Sequence, residues 1–166
     1  MTNDLIKYIY GIADNSLILG QRLGELCGHG PSLETDIALT NISLDLFGQV
    51  RSYYQYAAKL QGEGVTEDTI AFLRKERDYK NVLLVEQPNG DFAYSITRQF
   101  LFDIYHLLLL SELQNSKDET LAAIAKKSIK EVSYHTRFSS DWMKRLGDGT
   151  EESHNKVQTA VNDLWE

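Results

Sequence analysis

The chain has 166 residues, a net charge of −7 and 42% hydrophobic residues. This is the size and apolar content of about one globular domain, which excludes a disordered polypeptide. Acidic residues outnumber basic ones, 24 to 17, and no basic run stands out, so a nucleic-acid surface is not expected.

Proline occurs only at Pro31 and Pro88, and the apolar spacing between and after them is helical, with no alternating β-branched run. A first helix is predicted from about Asp4 to Cys27, with Leu5, Ile9, Ile12, Leu19, Leu23 and Leu26 as its inner stripe. Gly28-His29-Gly30-Pro31 ends it. A second helix starts at Ser32, a good N-cap, with Glu34 and Asp36 in its first turn, and runs to about Gln61. Residues 62–90 form a long connection. It carries a short amphipathic helix opened by Thr66-Glu67-Asp68, then Val82-Leu83-Leu84-Val85, predicted to lie under the bundle. A third helix is predicted from about Asp91 to Leu113 and a fourth from about Asp118 to Leu146. A fifth begins near Ser153, and the sequence ends inside its pattern. A crossover this long lets helices two and three run parallel. The expected fold is therefore all-α: a ferritin-like four-helix bundle with a long crossover and the start of an additional C-terminal helix.

The single cysteine, Cys27, cannot close an internal disulfide and fits a reducing, cytoplasmic setting. No secretory signal opens the chain, and the apolar run at 107–110 is far too short to cross a membrane.

Two helices carry paired chemistry. Asp103 and His106 share one face of the third helix, and Glu131 and His135 one face of the fourth. Such pairs resemble half of a carboxylate-bridged di-iron site, which takes four carboxylates and two histidines from a bundle. The rest of the set is broken. Asp45 stands on the second helix, but three residues later comes Gly48, where histidine would be needed. His135 lies four residues after Glu131 instead of three, and the first helix offers only Glu25, near its end. The expectation is a degenerate site with no metal, catalytic or cofactor-binding residue. Its carboxylates would be neutralised by Arg22, Arg51 or Arg98, or by protonated His106 and His135. Mutation of Asp103 should then cost stability, not activity. Tyr53, Tyr54 and Tyr56 crowd the second helix, and at least one is expected to be exposed or covered by a partner. His29 and His154 stand in turns without an obvious partner.

Four segments together resemble a known family: residues 20–31 (GQRLGELCGHGP), 41–49 (NISLDLFGQ), 83–93 (LLVEQPNGDFA) and 129–135 (IKEVSYH). They are similar to the C subunits of bacterial phenylacetyl-CoA epoxidases, over nearly the whole chain. The family's chains continue well beyond Glu166, so the resemblance implies that residues 1–166 form a single ferritin-like domain lacking the family's C-terminal part. It implies a non-catalytic structural subunit in aerobic phenylacetate catabolism, with no cofactor of its own. Its partners would be a di-iron catalytic A subunit and the other subunits of the complex; a homodimer is also allowed. Nucleic acid and membrane are not expected partners. Two other readings stay open at this point: a metalloenzyme using Asp45, Asp103, His106, Glu131 and His135 as an unusual ligand set, and a helical interaction module unrelated to oxygenases.

Overall fold

The structure, a computed structural model, describes residues 2–165; among them there is helix and no strand. Four long helices form the bundle: α1 (Thr2–Glu25), α2 (Leu33–Gln61), and, after a crossover containing α3 (Glu67–Phe72), a 3-10 turn (Glu76–Asp78) and α4 (Leu83–Glu86), α5 (Phe92–Leu113) and α6 (Glu119–Gly147). The C-terminal helix α7 (Glu151–Trp165) packs against α5 and α6.

Local chemistry explains the boundaries. Ser32 caps α2 by accepting from the Thr35 amide, Asp91 caps α5 through Tyr94, and Asp118 caps α6 through Leu121. The turn after α1 is folded around Asp36, whose carboxylate accepts from the amides of Gly28 at 2.9 Å and Gly30 at 3.0 Å. Those two amides hold the Asp36 carboxyl below the usual carboxylate range. Gly28 there has φ 85°, a left-handed conformation that disfavours side chains.

Side-chain bonds fix the helix directions. Ser43 meets Gly20, Tyr54 meets Asp14 and Gln61 meets Tyr10, so α1 and α2 are antiparallel. Asp45 pairs with His135, Gln49 with Glu131 and Tyr56 with Asp118, so α2 and α6 are antiparallel as well. Thr97 meets Met143 and Asp103 meets Ser139, which makes α5 antiparallel to α6 and therefore parallel to α2. This is the ferritin-like connectivity the long crossover predicted.

The apolar core falls into two clusters. One gathers Ile9, Tyr53, Tyr54, Leu110, Leu121 and Val132. The other gathers Leu19, Leu23, Ile42, Leu46, Ile96 and Phe102. Between them on α2, α5 and α6 lie buried Gln49, Gln99, Asp103, His106, Ser128, His135 and Ser139.

Two expectations are corrected. Residues 82–85 do not lie wholly under the bundle: Val85 is buried, but Val82 and Leu83 are exposed, because they form only the start of a single-turn helix that sits on α1. The α2 tyrosines do not present an exposed ring either. Tyr53 and Tyr54 are buried and Tyr56 is half-buried with its hydroxyl on Asp118, because α1, α6 and the crossover enclose this part of α2 on several sides.

The crossover is held by a buried ion pair. Arg74 grips Asp14 of α1 with both terminal nitrogens, at 2.9 and 2.6 Å, and also donates to the Tyr54 hydroxyl. Its guanidinium lies over the rings of Tyr79, Tyr10 and Tyr54, at 4.2, 4.6 and 5.4 Å from their centroids. Burial pulls the Arg74 pKa down, but the bonds and charge of Asp14 outweigh it and the net direction is up. The amides of Lys80 and Val82 donate to Asp14 and Asn15, which seats the chain on α1. Arg74→Met leaves Asp14 buried without its cation. The expected loss is about 3–5 kcal/mol in urea unfolding, and a loss below about 1 kcal/mol, the size of an exposed pair, would contradict this clamp.

Candidate functional site

The belt between the two apolar clusters contains or borders Asp45, Asp103, His106, Glu131 and His135, the set singled out from the sequence. Asp103 is buried in α5, where Gln99 Nε2 donates to one carboxyl oxygen at 2.7 Å and Ser139 Oγ lies 2.7 Å from the other. One turn on, His106 is buried against Phe102, and neither ring nitrogen has a hydrogen-bond partner among the described residues. On α6, buried His135 places Nε2 3.0 Å from an Asp45 oxygen of α2. Glu131 accepts from Gln49 Nε2 at 2.9 Å.

Burial dominates the electrostatics. It pushes the Asp103 carboxyl up to about 8, against the opposing effect of Ser139 and Gln99. It pushes His106 down to about 3, with the neighbouring His135 adding to the effect. His135 is also lowered by burial, opposed by Asp45 and Glu131. At neutral pH Asp103 is therefore a neutral acid and His106, one turn on, a neutral imidazole. A protonated Asp103 can still satisfy its neighbours: when its hydroxyl donates to Ser139 Oγ, Ser139 can turn its O–H to donate to the His135 carbonyl 3.0 Å away.

The three arginines named from the sequence do not neutralise the belt. Arg22 pairs with Glu25 at 3.1 Å and donates to the Glu86 carbonyl. Arg51 leans toward Glu67 at 3.7 Å. Arg98 is buried, but it donates to the Gln87 carbonyl and to Asn89 at the end of the bundle, where burial first and then Arg22 lower it to about 10. Protonated histidine is excluded for His106 by the same burial that protonates Asp103. Glu25 contributes nothing to the belt, since it lies on the surface with Arg22 and Asn89. Both histidines expected to lack partners have one: His29, in the turn after α1, donates to the Cys27 carbonyl, and His154, which lies in the first turn of α7 and not in a connecting turn, donates to that of Gly147.

The residues present do not fit a di-iron centre. The buried carboxylate of α1 is Asp14, committed to Arg74, Tyr54 and the Lys80 amide. Gly48 has no ligand atom, and a Cβ built there would meet nothing within 4 Å. Asp103 is engaged by Gln99 and Ser139 and held in its protonated range. Among the described residues no group of three or more His, Cys, Asp or Glu side chains is placed to hold a metal ion. No described helix is long and apolar enough to cross a membrane.

Sequence reasoning missed Asp14, Asn15 and Arg74. Their one visible signal is a polar triplet, Asp14-Asn15-Ser16, inside an otherwise apolar helix, all of it buried.

The pH dependence follows from the two large shifts. Asp103 titrates lower in the unfolded chain than in the fold, so its contribution is complete below about pH 4 and is lost as pH rises toward about 8. His106 is depressed on folding, so its contribution is present above about pH 6.5 and is lost as pH falls. Between pH 6.5 and 8 the Asp103 effect supplies the slope. Stability by urea unfolding should fall across that window, and Asp103→Asn should remove the Asp103 part of the decline. An identical slope in the variant would contradict the neutral carboxyl.

A known protein is similar to this chain over almost its whole length. The chain is 55% identical over 163 residues to the C subunit of 1,2-phenylacetyl-CoA epoxidase from Escherichia coli (strain K12). The match covers 98% of this chain and 65% of the relative, so the chain spans somewhat less than two thirds of that protein's length. The profile of the phenylacetic acid catabolic protein family matches residues 1–166. The chain belongs to the phenylacetic acid catabolic protein family.

Proposed function

We propose that this chain is a non-catalytic, structural subunit of a multicomponent phenylacetyl-CoA epoxidase. It would support a related di-iron subunit that carries out the oxygenation in aerobic phenylacetate catabolism. The similarity to the C subunit of an epoxidase of that name supports the assembly and the substrate. The observation that most supports the structural role is the state of the belt. Asp103 is tied to Ser139 and Gln99, and Gly48 offers no ligand where a second carboxylate-histidine pair would need one.

In this reading the belt does the work of a core. It joins α2, α5 and α6 through hydrogen bonds and leaves the chemistry to the partner, which would hold the di-iron centre. The assembly would work in the cytoplasm, where exposed Cys27 stays reduced.

Co-expression with the di-iron subunit tests the proposal. The two chains should elute as one complex, and epoxidation of phenylacetyl-CoA by the catalytic partner should require this chain. Folded Asp103→Asn protein should sustain turnover within about twofold of the wild type. A loss of about a hundredfold or more, the size expected for a group acting in the chemical step, would overturn the non-catalytic role.

A further inference from the structure

We infer that the cleft between α2 and α6 over Gly48 is a socket for a cationic side chain, lysine or arginine, of the partner subunit. This rests on the subunit reading above and names the place on this chain where the partner engages.

The cleft exists because Gly48 brings no side chain to a helix face that opens to solvent. A Cβ at that position would meet no atom within 4 Å, and the space enclosed is about 110 Å³. Its walls carry acceptors. Asp45 stands on α2 and Glu131 on α6, and the Asp45 side chain remains 38% exposed. Gln49 lines the same cleft. Its amide nitrogen is committed to Glu131, while its oxygen is buried without a partner among the described residues. Two carboxylates on facing walls, with an unpartnered amide oxygen buried in a residue of the α2 wall, call for a donor with positive charge.

Among the described residues no lysine or arginine is paired with these carboxylates. Lys127 lines the cleft but is exposed and forms no ion pair with Asp45 or Glu131, and the partner of Asp45 is the His135 ring. A divalent ion is not the matching occupant, since these side chains do not form a metal-holding group among the described residues. An ammonium or guanidinium is, because its several N–H donors can bond to the carboxylates of both walls at once.

The surround points to a protein partner in preference to a free amine. Leu33, Ile37 and Leu44 form an exposed stripe along α2, at 71%, 51% and 61% exposure, and Leu44 borders the cleft. Tyr134 shares the Glu131 face of α6 and is 40% exposed. Covering these groups would exclude water from the socket and strengthen the charge-assisted bonds inside it.

The test is calorimetric binding of this chain to the di-iron subunit, in low and high salt, for wild type, Gly48→Leu and Glu131→Gln. Gly48→Leu fills the hole at an exposed helical position and should weaken binding by about tenfold or more, with helicity and melting temperature no lower than wild type. Glu131→Gln removes a charge without changing shape. It should weaken binding at low salt and flatten the salt dependence. Wild-type binding with both variants within about twofold would overturn the socket and leave the subunit reading standing. No binding by the wild type would overturn the subunit reading, and the socket with it. Tight binding of Mn²⁺ or Zn²⁺ alone to the wild type, lost in Glu131→Gln, would replace the side-chain socket with a metal site.

Discussion

A carboxyl group in the middle of a helical bundle must be neutralised by a metal ion, by a basic side chain or by a proton. Asp103 is such a group, buried between two apolar clusters. The nearby arginines are turned elsewhere, toward Glu25, Glu67 and the carbonyls at the end of the bundle. The proton remains, and burial pushes the group far enough up to hold it near neutral pH. The neighbours follow from that choice. Ser139 can accept from the protonated acid and turn its own O–H to donate to the His135 carbonyl, while Gln99 donates to the second carboxyl oxygen. His106, a turn away, stays neutral in the same dry environment.

Asp14 shows the other solution in the same molecule. It is as buried as Asp103, but Arg74 reaches it from the crossover and binds both oxygens. Such a pair is costly to break, because the abandoned charge keeps its desolvation penalty. That makes it a lock on a long connection that would otherwise have few reasons to stay in place. One buried acid therefore ties the crossover to α1, and the other joins α5 to α6 without any charge.

Periodicity made the bundle legible. The stripes through Ile96, Asp103, His106 and Leu110, and through Leu121, Val132 and His135, are the buried faces of α5 and α6. Ser32 announced the start of α2 as a cap, and the length of the connection announced parallel α2 and α5. Asp45, His135 and Gly48 stand out in the chain as parts of a broken ligand set, but the pairing of Asp45 with His135 and the opening at Gly48 come only from the fold. What spacing could not give was the partner of each buried charge. Arg74 lies 60 residues from Asp14, in a segment whose path depends on the fold. Arg98 shares a helix with Asp103, five positions before it, yet its long side chain turns away to donate to the Gln87 carbonyl and the Asn89 side-chain oxygen. The tyrosines of α2 misled for a related reason, since a helix packed on several sides can bury residues all round.

Beside the proton-neutralised Asp103, no group of three or more His, Cys, Asp or Glu among the described residues is placed to hold a metal ion. The most direct measurement is elemental analysis of iron per chain after anaerobic loading with ferrous ion and desalting. Iron far below one atom per chain is the expected result. About two atoms per chain, the content of a loaded di-iron bundle, would contradict it and make this chain an oxygenase candidate in its own right.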